Sequence, residues 1–550
     1  MNNSRIKEIQ KSLRDSIHKR SQYLLTLVDR APYSKTYGCF DRSYWQYKIK
    51  DFPSGMSQEA VYPLSLALEN NIFENITSKS REDLKDIILN GIKYSLKTQH
   101  SNGSVDDYYP FEQASGATAF TTYAILCCIE LGQISLSEKQ LLKLRKRIIW
   151  LYKKKESGKL SNHEALICLV LAKASQILDD RNLYNLSIKR TYSLLGWRDE
   201  EGWFEEYSGL DIGYESLTFS CLVQLQEVLD KVDINLDEVI KKQAEFIINS
   251  IEPDGCFGGE LYSRGTWNCF AHGILSYSIK NNYKIDRVLK LIESIFLIYP
   301  IEIKDDYIIQ HHLWSDILTY KIIENYKNDP KIETNYNLCT NESIEKQIDF
   351  YPNAGHLWIK HGSAFTHISI KMGGLFRLYK NEKFICQETQ NILRVKKDIF
   401  LSNVLNNEIN FKWKGDNKLV IEGYMVKKPT SLMTTSKLLF LRLIMISFGK
   451  YVPNLIRSFM QKVLINSKLN KRRKFSRIFI FTNDSLKVID EYRVFNSELY
   501  SSELIETSFS TFRHVVMSRV FHPYNLLLQK PSFKSINYKD KFIQLTREWN

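Results

Sequence analysis

Three short turns, each built around one glycine, constrain this chain more than any other feature. They are His100-Ser101-Asn102-Gly103-Ser104-Val105, Asp199-Glu200-Glu201-Gly202-Trp203-Phe204 and Glu252-Pro253-Asp254-Gly255-Cys256-Phe257. Their glycines stand 99 and 53 residues apart, two units and one unit of about 50, a length that suits a pair of antiparallel helices with its connections. Apolar residues recur at three- and four-residue spacing in Ile87–Leu96, Thr118–Leu131, Ala165–Ile177, Leu217–Leu229 and Val239–Ile251, the mark of helices with a buried face. Residues 1–340 are therefore expected to form five or six helical hairpins arranged as an α/α toroid, incomplete or closed, with the aromatic-rich turns gathered at one rim.

The period changes after about Asn341. Ile368, Ile370 and Met372 alternate with His367, Ser369 and Lys371; Phe411 and Trp413 precede a Gly415-Asp416-Asn417 turn; Ile478 and Ile480 lead through Asn483-Asp484 to Leu486 and Val488. Alternation with short polar turns predicts antiparallel sheet, here a β-sandwich over 341–550. Residues 431–474 break the pattern with Leu438-Leu439-Phe440-Leu441-Arg442-Leu443-Ile444-Met445-Ile446 and end in Lys471-Arg472-Arg473-Lys474; they read as a basic helical insertion. The fold class is thus α+β and multidomain. From His356 onward there are 33 Lys and Arg against 14 Asp and Glu, while the remainder holds 43 against 48. An anionic partner for the basic part follows.

No apolar signal segment follows Met1 and no uncharged apolar run of membrane-spanning length occurs. The nine cysteines form no CxxC pair and read as reduced, buried thiols. Both observations point to the cytoplasm. The basic residues are not interleaved with an aromatic platform, so no nucleic acid is expected as partner. No ligand cluster or cofactor motif stands out, and neither metal nor cofactor is expected.

Chemistry is expected where turns meet inner helices. Asn162-His163 opens one helix and Tyr214 lies 51 residues on, one repeat later, so an imidazole and a phenol from neighbouring inner helices would face one space. Such a pair suits β-elimination from a uronate polysaccharide: Asn162 binds the sugar carboxylate, His163 takes the weakly acidic proton beside it, and Tyr214 protonates the departing glycosidic oxygen. An Asn-His helix start can equally be a cap with a satisfied histidine. Arg42, Tyr44, Trp45, Trp203, Tyr207, Arg264 and Trp267 are candidate sugar contacts, the arginines as forks for carboxylates and the aromatic rings as stacking faces; as the plain alternative they fill the core and tie loops together. Asp106, Asp107, Glu112, Glu205, Glu206 and Asp211 keep a two-carboxylate glycoside hydrolase open. No aspartate-rich motif of a terpene cyclase is present; Asp305-Asp306 stands isolated.

Tyr37-Gly38-Cys39-Phe40-Asp41-Arg42-Ser43-Tyr44-Trp45-Gln46-Tyr47-Lys48, Asp51-Phe52-Pro53 and Gln58-Glu59 resemble the heparinase II/III-like proteins found with bacterial surface-polysaccharide genes. The Asn162-His163 step, Glu201-Gly202-Trp203-Phe204-Glu205-Glu206-Tyr207, Gly258-Gly259-Glu260 and the order of toroid then sandwich fit the same group. The resemblance implies catalytic roles for Asn162, His163 and Tyr214, with Tyr207 as the second choice for the tyrosine. Lyases of that family take a further histidine from the start of the β domain, followed by an acidic residue. Here His361 and His367 are the candidates, and no acidic residue follows.

Two functions are expected to compete. One is a uronate lyase of O-antigen, capsule or exopolysaccharide metabolism; the other is a non-catalytic glycan-binding or scaffolding protein of the assembly machinery. Both take an acidic oligo- or polysaccharide as partner. The 431–474 insertion, with Leu441, Ile444 and Phe448 as anchors, would contact the inner membrane face or a glycosyltransferase, or else cover the sandwich.

Overall fold

Helices that are apolar on every side alternate with helices apolar on one side only, and this alternation builds the ring. In a computed structural model the described residues are 3–73, 75–132, 134–155, 159–206, 209–300, 305–327, 346–388, 390–428, 434–449, 451–452, 455–456, 469–482, 484–507, 522, 526–539 and 541–550. The helices begin with α1 (Asn3–Leu27), the short α2 (Arg42–Trp45), α3 (Val61–Glu69) and α4 (Ser78–Thr98). Then come α5 (Ser115–Glu130), α6 (Glu138–Lys153), α7 (Ser161–Ile177), α8 (Arg181–Leu195) and α9 (Ile212–Val228). The series ends with α10 (Asp237–Asn249), α11 (Ala271–Lys280), α12 (Ile285–Glu293) and α13 (Ile309–Lys327). In α5 and α7 nearly every side chain is buried and in α9 most are, whereas α6 buries only Leu144, Arg147, Ile148 and Leu151. A helix without a polar face must be surrounded. Accordingly α3, α5, α7, α9, α11 and α13 form the inner wall, each against the next, and α4, α6, α8, α10 and α12 lie outside.

The ring closes. α13 packs on α3 as well as α11, and α1 supplies its outer partner. Trp314 donates its indole N–H to Glu59 Oε1 (2.7 Å) across the seam, and buried Arg20 of α1 pairs with Asp316 (2.7 Å).

The three glycine turns share one geometry. In each, the first residue (His100, Asp199 or Glu252) accepts from the glycine N–H and donates its own N–H to the residue after the glycine-led step (Ser104, Trp203 or Cys256). Gly103, Gly202 and Gly255 have φ of +99°, +102° and +84°, a region that side-chain-bearing residues seldom occupy. Each also abuts the backbone of the following outer helix, so that a Cβ would lie 2.5–2.7 Å from Arg147 N, Lys242 O or Lys290 O. The repeat read in the sequence is thus the seat on which each outer helix rests.

The second part holds two antiparallel sheets. The smaller is a meander of β1 (Lys346–Tyr351), β2 (His356–His361), β3 (Ala364–Ser369), β4 (Leu375–Lys380) and β5 (Lys383–Glu388). The larger contains β6 (Gln390–Val395), β7 (Asp398–Leu401), β8 (Asn410–Trp413), β9 (Lys418–Lys427), β10 (Leu469–Phe481), β11 (Leu486–Arg493), β12 (Ser502–Thr507), β13 (Phe533–Lys539) and β14 (Phe542–Trp549). Leu357, Ile359, Ile368, Phe376 and Leu378 of the small sheet pack against Ile421, Phe479, Val488 and Trp549 of the large one. The alternate residues Trp358, His367, Arg377 and Tyr379 point the other way, onto the toroid.

The insertion differs from expectation in one respect. Its helix, α14 (Thr435–Ile444), continues into a π-helical turn at Met445–Gly449, but the Lys471–Lys474 run lies in β10. There Arg473 is buried over the Phe400 ring (4.2 Å) and paired with Glu498 (2.9 Å), so part of the basic run serves the sandwich core.

Candidate functional site

The first turns of α7 and α9 stand side by side at the rim where the glycine turns gather. Asp211 starts α9: its carboxylate accepts from Tyr214 N (3.3 Å), Arg264 N (3.1 Å) and the Thr266 hydroxyl, fixing the turn that presents Tyr214. Leu160, just ahead of α7, makes a β-bridge with Glu206, just ahead of α9. Asn162 Nδ2 donates to Glu206 Oε2 (2.8 Å). His163 and Tyr214 are half-buried and Asn162 is buried. The Arg264 guanidinium carbon lies 5.7 Å from the Tyr214 ring centre. On the other side, His163 meets the edge of Phe120 (6.3 Å between ring centres) and lies against Gly116, where a Cβ would come within 2.5 Å of Cε1.

Glu206 links these groups. Burial pushes its carboxyl up to about 7, against the opposing pull of Arg264, His163 and the Asn162 hydrogen bond, and with Asp211 pushing the same way. Among the described residues neither Glu206 Oε1 nor Asn162 Oδ1 has a hydrogen-bond partner, although both are buried. A carboxyl half-protonated at neutral pH, an imidazole and a phenol beside a guanidinium can together move protons at an anionic sugar.

Neighbouring Glu215 accepts from Gln243 Nε2 (2.6 Å) and Phe204 N (3.2 Å), and burial pushes it up to about 8 from 4.5. A carboxyl whose pKa rises on folding stabilises most below its unfolded value, and that contribution is lost as pH climbs through the folded one. Glu215→Gln, which cannot ionise, is therefore expected to gain stability over the parent between about pH 4.5 and 8, by about 2–4 kcal/mol at the upper end. Thermal unfolding of both proteins across that range checks it; a constant Tm difference refutes it.

The structure gives Arg42, Tyr44, Trp45, Trp203 and Trp267 other surroundings. Arg42 forks onto Asp306 (2.6 and 3.0 Å) and touches Tyr23, so it ties α1, α2 and the approach to α13. Tyr44 and Trp45 are half-buried in α2, with the Trp45 indole on the Leu27 carbonyl (2.8 Å). Trp203 is buried and donates to Glu201 (3.0 Å), which also receives the backbone N–H groups of Asn353 and Ala354. Trp267 is buried between His522 and Arg377. Both tryptophans serve the junction of toroid and sandwich rather than a sugar face. Tyr207 lies outside the described residues.

The hydrolase carboxylates are occupied by turn geometry. Asp106 accepts from Phe111 N, Gln113 N and His100, Asp107 from Ser54, and Glu112 from Asp107 N and Tyr108 N. Glu205 pairs with Lys159 at the surface. Burial raises Asp107 and Asp211 as well, but turn hydrogen bonds hold both; in this set only Glu206 has a buried oxygen without a hydrogen-bond partner among the described residues.

The two β-domain histidines take opposite faces. His361 sits on the sandwich side, with Nδ1 on the Thr482 carbonyl (2.6 Å) and Nε2 by Thr366 (3.2 Å). His367 is fully buried facing the toroid; its Nδ1 donates to Glu252 (2.6 Å), so its Nε2 must accept from His356 Nδ1 (2.9 Å). Burial drives both imidazoles toward the neutral form, consistent with that chain of single protons. Glu252, Asp254, Arg377 and Tyr379 complete this network. Sequence reasoning missed it; the only local signal was that Glu252 and Asp254 open the third glycine turn. Among the described residues no three His, Cys, Asp or Glu side chains gather to hold a metal. Eight cysteines are buried and free, and Cys339 lies outside the described residues.

No family model and no curated protein sequence matches the chain. Among solved structures, chondroitin AC lyase of Streptomyces coelicolor A3, in complex with chondroitin sulphate, aligns with a TM-score of 0.52 and 7% identity over 88% of this chain and 66% of that one. This chain thus spans just under two thirds of that enzyme. A tyrosine-to-alanine mutant of the same lyase aligns at 0.51, with 7% identity, over 98% of this chain and 77% of that one. Heparan sulfate lyase HepC from Pedobacter heparinus aligns at only 0.33, with 8% identity, over 90% and 75%. What the chain shares with chondroitin AC lyase is its fold, a helical toroid followed by a β domain.

Proposed function

We propose that the protein is a polysaccharide lyase that cleaves a uronate-containing glycan by β-elimination at the α7–α9 rim. The observation that carries this reading is that Arg264 and partly exposed His163 both act on buried Glu206, while the Arg264 guanidinium carbon lies 5.7 Å from the ring centre of partly exposed Tyr214. In the reaction His163 removes the proton beside the sugar carboxylate. The freed electron pair forms the carbon–carbon double bond as the glycosidic C–O bond breaks, and the Tyr214 hydroxyl protonates the leaving oxygen. Arg264 offsets the charge that builds on the sugar carboxylate, while buried Asn162, which donates to Glu206, positions that carboxyl beside the reacting groups. The resemblance to heparinase II/III-like proteins supports a bacterial surface polysaccharide as the substrate class. Incubation with a panel of acidic polysaccharides tests the proposal. The double bond conjugated to the carboxylate absorbs in the ultraviolet, so absorbance and new reducing ends should rise together; binding of a glycan without either refutes the lyase.

One observation favours a second reading, a glycan-holding component of the assembly machinery on the cytoplasmic side. The β-domain histidine used by family lyases corresponds here to His361 or His367, and both are buried with each ring nitrogen already engaged. Saturable glycan binding with no product would support that role.

A further inference from the structure

We infer that α14 and the turn after it form a docking surface for an anionic lipid bilayer. The helix buries none of its own residues. Leu439 (60% exposed), Phe440 (65%), Leu443 (64%) and Ile446 (57%) follow one another at helical spacing, and Phe448 (60%) extends the stripe. Soluble monomers seldom leave contiguous apolar patches above about a few hundred Å², and this one continues through exposed Tyr451 and Leu455. The opposite side seats the segment on the toroid. Arg442 pairs with Asp51 (2.9 Å) and lies over the Phe52 ring, Met445 is buried, and Gly449 abuts Phe111. Of the anchors expected from sequence, Leu441 and Ile444 therefore lean toward the protein, and only Phe448 belongs to the outer stripe.

Charge selects the occupant. Residues 431–474 contain ten Lys and Arg and no Asp or Glu. Lys471–Lys474 belong to β10, yet residues 431–468 alone carry six Lys and Arg and no Asp or Glu. An apolar stripe in a segment whose charged residues are all basic matches lipid tails beneath anionic headgroups, and a second copy of the same basic segment would be repelled. Among the described residues no helix is long and apolar enough to cross a membrane, so the contact is with the surface. The loops that seat α14 lead into α3 and α5, at the same rim as the first turns of α7 and α9. Docking therefore brings the cleft mouth to the bilayer.

Sedimentation of the full chain with phosphatidylcholine vesicles, with and without phosphatidylglycerol, tests the proposal. The protein is expected to pellet with the anionic vesicles, to release as salt is raised, and to stay in solution with the neutral ones. Leu439→Asp, Phe440→Asp and Leu443→Asp together should weaken binding at least about tenfold without changing circular dichroism, because these side chains make no internal core. Val232→Asp, at an apolar residue exposed elsewhere, should bind like the parent. Failure of the parent to bind anionic vesicles, equal binding by the triple variant, or a parent dimer that the triple variant dissociates would each overturn the proposal. None of these outcomes depends on lyase activity.

Discussion

His163→Ala is expected to lower the rate of unsaturated product formation by about 10²–10⁴-fold, the usual contribution of a positioned general base, with little change in Tm. The imidazole is half-buried, its charge is felt by Glu206, and it leans on Phe120 and Gly116, so removing it empties the site without opening the core. Gly116→Ala separates position from chemistry. Alanine favours a helix over glycine by about 1 kcal/mol, yet its Cβ would fall within 2.5 Å of His163 Cε1. The ring must move, and activity should drop while the histidine remains present. Tyr214→Phe should remove the proton donor and keep the ring under Arg264. Single-turnover assays together with glycan binding read all three variants. Unchanged product formation by His163→Ala would exclude the imidazole as base.

The largest expected loss of stability lies at the junction of toroid and sandwich. Arg377 is fully buried, 2.8 Å from Glu252 and 3.2 Å from Asp254, and packed among Trp267, Tyr379 and Phe384. Burial disfavours its charge, but Glu252, Tyr379 and Asp254 more than restore it. Conversely, burial raises both carboxyls and Arg377 is the main influence holding them down. Arg377→Met keeps the volume and removes the countercharge, which leaves two carboxylates in a dry interface; about 3–5 kcal/mol of stability should go. Those carboxyls would then take up protons, so the deficit should shrink as pH falls. Adding Glu252→Gln to Arg377→Met should recover part of the loss. Denaturant unfolding of the two variants at several pH values checks the magnitude, the sign and the coupling.

The helical ring and the sheets were legible because each leaves a period in the chain: glycine turns one or two units apart, apolar spacing of three and four, alternation after Asn341. That Asn162-His163 and Tyr214 open adjacent inner helices was legible for the same reason, since one repeat of separation means neighbouring inner helices; the chemistry proposed for them leaves no such period. Partners that meet only through the tertiary fold leave no period. His367 finds Glu252 from 115 residues away, and Arg42 finds Asp306 from 264. Trp203 and Trp267 belong to aromatic-rich turns that also meet the second domain, so their composition suggested a sugar face while packing gave them to the junction. The Lys471–Lys474 run read as helix because its charges hid the strand, whose pairing with β9 lies across the insertion.

The seam between α13 and α3, backed by α1, gives the toroid a particular order of assembly. α1 and α3 are made before the surfaces they cover on α13, which lie about 300 and 250 residues later in the chain. Until then the apolar sides of the earliest helices have no permanent cover, and contacts this distant in sequence form slowly. In chain order the toroid is therefore an open arc until α13, the last of its inner helices, is in place to latch it.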